Sequence, residues 1–131
     1  IELEALADPD EVGYYAWQID GSQINIKPLL QAVLQDLKEG VNVSAISARF
    51  HNTIIQISMA IVKDIRTKYG INQIALSGGV WQNQFLIKKM IINLEKDGFS
   101  PIIHQHLPAN DGCISFGQAL IAAYRYIKDK E

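Results

Sequence analysis

Leu76-Ser77-Gly78-Gly79-Val80-Trp81-Gln82-Asn83 decides how this chain is read. A short apolar strand, Gln73 to Leu76, precedes its glycines, and a helix from Gln82 to Lys96, stopped by Gly98, follows them. The pattern then repeats with a strand around Ile102 to His104, the turn Pro108-Ala109-Asn110-Asp111-Gly112, and a helix from Gly112 to Ile127. Strand, helix, strand, helix with short links predicts a parallel βαβ unit with a right-handed crossover, and hence an α/β fold. Both glycine turns then fall at one edge of one sheet, where open α/β folds hold ligands. Serine and two glycines there leave backbone N–H groups uncovered and let a phosphate or ribose approach the main chain. Asn110-Asp111 adds a carboxylate to the same crevice.

Upstream of this unit, the stripe Val43, Ile46, Phe50, Ile54, Ile57, Ile61, Ile65 keeps a helical period from Asn42 to Tyr69, and Gly70 ends it. A second set, Ile55, Met59 and Val62, widens the apolar face, so this long helix is expected to be the spine of the domain. Before it, Pro28 opens a short amphipathic helix with Leu29, Leu30, Val33, Leu34 and Leu37, stopped at Gly40. Tyr14 to Ile19 reads as a strand, Asp20-Gly21-Ser22 as a turn, and Gln23 to Ile26 as the second strand of a hairpin. Residues 1–13, acidic and aperiodic, read as a linker from an upstream region, and residues 14–131 as one lobe. The first residue is Ile1 rather than Met, and the chain is read as a fragment.

The 131 residues fit one domain, burying roughly two-thirds of the surface of the unfolded chain. Apolar residues at 48% and charged residues at 20% are ordinary for a globular protein. No apolar run is long enough for a membrane span. A net charge of −2, with no basic cluster longer than Lys88-Lys89, argues against a nucleic-acid footprint. The single cysteine, Cys113, excludes an internal disulfide and fits a reducing cytoplasm.

Each candidate site has two readings. A Ser-Gly-Gly turn can bind an anion or can simply relieve crowding in a tight connection. Asn110 and Asp111 can cap the last helix, or the carboxylate can hold a metal ion that bridges to phosphate. His51 on the long helix reads as a packed, hydrogen-bonded residue. His104 and His106 form no chelating pair, and the chain holds no His-x-x-x-His, so two histidine ligands for a metal are missing. Cys113 sits in the first turn of a helix, as a reactive thiol or a small apolar filler.

Leu76 to Asn83 resembles the LSGGVFQN signature of the HypF family of hydrogenase-maturation carbamoyltransferases. Leu107 to Ala119 is similar to that family's PPNDGGIALGQA motif, and Ala48-Arg49-Phe50-His51-Asn52-Thr53 to its ARFHNT segment. The likeness runs from about Tyr14 to the C-terminus. Trp81 stands for the usual phenylalanine, Ala109 for a proline, Cys113 for a glycine and Ser115 for an alanine. The resemblance implies the second lobe of a Kae1-like domain, a ribonuclease-H-like fold of the actin, sugar-kinase and Hsp70 superfamily. It also implies use of carbamoyl phosphate and ATP to form carbamoyl-adenylate. The carbamoyl group would then pass to the C-terminal cysteine of a HypE-type acceptor, on the route to nickel-iron hydrogenase. Gly78 and Gly79 would contact the nucleotide, Gln82 and Asn83 would orient it, and Asp111 would ligate a divalent metal. The family's histidine ligands lie outside this chain, so the fragment alone is expected not to catalyse the reaction. Two alternatives remain: a lobe of the sister enzymes that transfer threonylcarbamoyl to tRNA, and a non-catalytic docking or dimerisation module. Exposed apolar surface makes self-association of the isolated chain an expectation.

Overall fold

The computed structural model describes residues 2–21 and 23–128. In chain order it contains helix α1 (Glu2–Ala5), strands β1 (Gln18–Asp20) and β2 (Gln23–Asn25), helices α2 (Lys27–Lys38) and α3 (Val43–Tyr69), strand β3 (Gln73–Leu76), helix α4 (Gln84–Lys96), strand β4 (Ser100–Ile103) and helix α5 (Ile114–Lys128). Strands β3 and β4 pair in parallel, Gln73 opposite Ser100 and Leu76 opposite Ile103, with α4 as the crossover. The α/β class, the parallel βαβ unit and the long helix are therefore present. The hairpin is antiparallel, Gln18 opposite Asn25. Ser22, assigned to its turn, lies outside the described residues, as do Ile1 and residues 129–131.

The core forms where α3 and α4 meet one face of the parallel pair. Ile55 and Met59 from α3, Leu86, Met90 and Leu94 from α4, Leu76 at the end of β3, and Phe99 before β4 make one buried cluster. Met90 and Leu94 are 1% and 0% exposed. Asn42 caps α3, its side chain accepting from the Ser44 N–H, and Gly70 ends α3 at φ 70°. The ends of the core helices are tied by charge: Lys63 pairs with Asp97 at 2.6 Å, and Arg66 lies 3.9 Å above the Phe99 ring while donating to the Asp97 carbonyl. Burial on α3 stops near Met59, and Ile61, counted in the expected stripe, is exposed.

Several boundaries differ from the sequence expectation for local reasons. Tyr14 to Trp17 were expected in a strand, yet β1 begins only at Gln18. The backbone ahead of it is already claimed by α3: Asn52 Nδ2 donates to the carbonyls of Glu11 and Gly13, and the Tyr15 N–H donates to Thr53 Oγ1. A chain bonded sideways to a helix has no ladder left to offer a strand. The helices expected from Gln82 and Gly112 each start two residues later, after 3₁₀ turns at Gly79–Gln82 and Asp111–Cys113. Residues 1–13, expected as a linker, are described from Glu2. Ser47 Oγ donates to the Leu3 carbonyl, and Glu11 pairs with Arg49 at 3.0 Å. Helix α5 buries no residue; Phe116, Leu120, Tyr124 and Ile127 are all exposed.

Candidate functional site

Parallel pairing brings the two glycine turns side by side. The Gly78 N–H donates to the Ala109 carbonyl at 2.6 Å, a direct bond between the two motifs. Ser77 Oγ and His104 Nε2, on the residues directly after β3 and β4, stand 2.9 Å apart. A groove of about 540 Å³ runs beside this edge, lined among others by Leu76, Trp81, Lys88, His104 and Ala109.

The glycines differ in what they are for. Gly78 has φ 104° and ψ 158°, a conformation closed to residues with a side chain. Gly112 leaves room for Asn110, whose Oδ1 accepts the Gly112 N–H; a Cβ there would sit 3.0 Å from that oxygen. Gly79 has neither reason: its φ is not positive, and a Cβ would meet nothing within 4 Å. Open space in front of an exposed glycine backbone is what a closely approaching ligand requires.

Asn83 is half-buried and held by two helices. Its Oδ1 accepts the Leu86 N–H at 2.9 Å and caps α4. That leaves Nδ2 to donate to His51 Nε2, also at 2.9 Å. His51 Nδ1 lies 2.8 Å from the Ser47 carbonyl, which can only accept, so the ring carries its proton on Nδ1 and Nε2 is an acceptor. His51 is 3% exposed, with both nitrogens satisfied. The packed role expected for His51 is what the structure has, and Asn83, expected to orient a nucleotide, has an amide engaged by α3 and α4. Gln82 is exposed beside the groove.

The rest of the Ala48–Thr53 segment fastens other elements. Arg49 joins Glu11 to Asp36 of α2, both at 3.0 Å, and Tyr15 O–H donates to the same Asp36 oxygen. The Gly13 N–H and then the Arg49 guanidinium hold the Glu11 carboxyl below its ordinary pKa, against the opposing effect of burial. Burial, followed by the bond to Asp36, pushes the Tyr15 phenol up to about 12. Lys89 donates to Asn52 Oδ1 at 3.0 Å, and burial lowers its pKa. Thr53 Oγ1 donates back to the Arg49 carbonyl.

Asp111 opens its 3₁₀ turn, exposed, and its carboxylate makes no hydrogen bond or ion pair among the described residues. Among those residues no three of His, Cys, Asp and Glu stand together as a metal cluster. A free carboxylate beside a glycine turn fits one ligand of a shared site. Cys113 is half-buried, and its N–H donates to the Asn110 carbonyl.

Residues 1–118 match the family described as carbamoyltransferase, Kae1-like domain, second subdomain. The chain belongs to the HypF carbamoyltransferase family. It is 34% identical to carbamoyltransferase HypF of a Synechocystis species, over 97% of this chain and 17% of that protein. The probable carbamoyltransferase HypF of Methanocaldococcus jannaschii is 33% identical over 79% of this chain and 13% of its own length. Carbamoyltransferase HypF2 of Cupriavidus necator is 31% identical, over 93% and 14%. A crystal structure of full-length HypF in a phosphate- and nucleotide-bound form superposes with a TM-score of 0.86 and 36% identity, over 92% of this chain and 16% of that one. The HypF of T. kodakarensis, 21% identical with a TM-score of 0.71, shares the fold. The structural neighbours share a Kae1-like fold, and the chain spans less than one fifth of the relatives' length. No described helix is long and apolar enough to cross a membrane.

Ser77 and His104 were missed as a pair by the sequence reading. The signal was their common position directly after two parallel strands, which a strand boundary set one residue too late at His104 concealed.

Proposed function

We propose that the two turns form half of a nucleotide- and metal-binding site, and that the chain works as the second lobe of an enzyme using carbamoyl phosphate and ATP. In this reading the enzyme forms carbamoyl-adenylate and carbamoylates the C-terminal cysteine of a HypE-type acceptor during nickel-iron hydrogenase maturation in the cytoplasm. Residues 14–131 form the lobe, and residues 1–13 lead into it from an upstream region.

The observation that carries this reading is the juxtaposition of three features: the 2.6 Å bond from Gly78 to Ala109, the open space before Gly79, and the Asp111 carboxylate, unpaired among the described residues. Gly78 shapes the turn, Gly79 admits the phosphates to the backbone, and Gln82 lies close enough in sequence to orient them. A divalent metal, when bound, would offset phosphate charge, and Asp111 would be its ligand from this lobe. One carboxylate and two turns supply only part of such a site, because adenylate formation needs several fixed charges around the phosphates. The isolated chain is therefore expected to bind ATP weakly and to be inactive. The bare apolar residues of α5 favour self-association of that isolated form.

The test uses Asp111→Ala in the natural polypeptide carrying this chain, with carbamoyl-phosphate-dependent exchange of pyrophosphate into ATP as the assay. Exchange is expected to fall by at least about a hundredfold, with thermal stability unchanged, since an exposed unpaired carboxylate contributes little to folding. Unchanged exchange would remove Asp111 from the site.

A further inference from the structure

The register that places Leu76 opposite Ile103 puts Ser77 and His104 at neighbouring positions on the sheet edge, 2.9 Å apart through Oγ and Nε2. Both residues are exposed, so packing does not account for the pair. It lies next to Gly78, whose N–H is occupied by Ala109, which leaves the Ser77 hydroxyl as the adjoining side-chain donor of the turn.

We propose that His104 is a positioning residue for this turn: through Nε2 it sets where the Ser77 hydroxyl directs its hydrogen. The inference rests on reading the turn as a nucleotide site. With the ring neutral and Nε2 unprotonated, Ser77 O–H donates to the ring and presents only lone pairs to an arriving phosphate oxygen. With both ring nitrogens protonated, the Nε2–H donates to Ser77 Oγ, and the hydroxyl hydrogen turns to the anionic oxygen. No covalent bond to the ligand forms or breaks; one proton is taken up from solvent. Ser77, directly after β3, faces the ring and is uncharged, and Lys88 of α4 lines the same groove. The following loop adds His106 and, at its end, Asp111. The phosphate supplies the negative charge that favours the protonated ring, so nucleotide binding and proton uptake are coupled.

The test is calorimetric titration of MgATP into the natural polypeptide carrying this chain, in two buffers of different ionisation enthalpy, at about pH 6 and about pH 8, which bracket the charge change of histidine. The wild type is expected to take up a proton on binding and to bind more tightly at the acid pH. His104→Ala should abolish the uptake and weaken acid binding by about tenfold, the loss expected for one hydrogen bond to a charged group. His104→Gln, which keeps a hydrogen-bonding side chain but cannot take up the proton, should also lose the uptake and the pH dependence. Ser77→Ala and the double variant should bind alike, because the gain passes through the hydroxyl. Full proton uptake in either His104 variant, or a His104-dependent gain that survives Ser77→Ala, would overturn the inference while leaving the nucleotide site intact. A wild type that binds no MgATP at either pH would overturn the nucleotide site and the inference with it.

Discussion

Replacing Asn83 tests the clasp between α3 and α4, because its two amide ends do separable work. Asn83→Ala removes the cap of α4, a loss of about 1 kcal/mol. It also leaves His51 Nε2 without a donor in a site 3% exposed to solvent. An unsatisfied buried acceptor costs about 1 to 3 kcal/mol, so the total should reach about 2 to 4 kcal/mol. Asn83→Ser isolates the second part: serine still caps the helix but is too short to reach the ring, and should cost about 1 kcal/mol less than alanine. Asn83→Asp keeps the cap but sets a carboxylate oxygen against the Nε2 lone pair unless the ring takes up a proton. That variant should be more stable near pH 6 than near pH 8, opposite charges at contact favouring the ionised pair. Urea denaturation gives the differences, and hydrogen exchange at the Leu86 amide shows whether the opening is local to α4. Equal stability of wild type and Asn83→Ala, or Asn83→Asp insensitive to pH, would refute the clasp.

Two further predictions separate fold from site. Gly78→Ala, at φ 104°, should cost about 1 to 3 kcal/mol in thermal or urea unfolding, whereas Gly79→Val should leave the fold within about 0.5 kcal/mol of wild type and weaken nucleotide binding by at least tenfold; equal stability losses at both positions would contradict the distinction. The Tyr15 phenol, raised from 10.0 to about 12, contributes stability that is complete below pH 10.0 and is lost as pH climbs to about 12. The depressed Glu11 carboxyl contributes stability that is present above its ordinary value of 4.5 and is lost as pH falls through the lower folded value. Urea midpoints followed across pH should therefore lose their alkaline limb in Tyr15→Phe and part of their acid limb in Glu11→Gln, and curves unchanged in shape would refute the assignment.

The βαβ unit was legible because its signals are local: four apolar-rich segments, the first three each closed by glycine or a turn. Pairing two such strands in parallel fixes both turns at one edge, so the proximity of Gly78 to Ala109 followed from periodicity alone. What the sequence could not show is which elements α3 holds sideways. Nothing in Gly13-Tyr14-Tyr15 announces that its backbone will be bonded to Asn52 and Thr53 rather than to a strand. Such contacts join residues nearly forty positions apart through single side chains, and no period marks them.

The Ala48–Thr53 segment stands apart from the proposed chemistry because its side chains hold other elements in place. Arg49 fixes α2 and residue 11, His51 fixes the start of α4, Asn52 carries residues 11 and 13 together with Lys89, and Thr53 carries residue 15. A residue that bonds several elements at once tolerates few substitutions, since replacing it strands several buried partners together. The chemistry has to be sought among residues for which the fold gives no such reason: Gly79 with open space before it, Asp111 without a partner among the described residues, and an exposed serine and histidine that bond to each other. All four lie on the turns at the carboxyl edge of β3 and β4, and an upstream lobe opposite that edge would complete the site rather than create it.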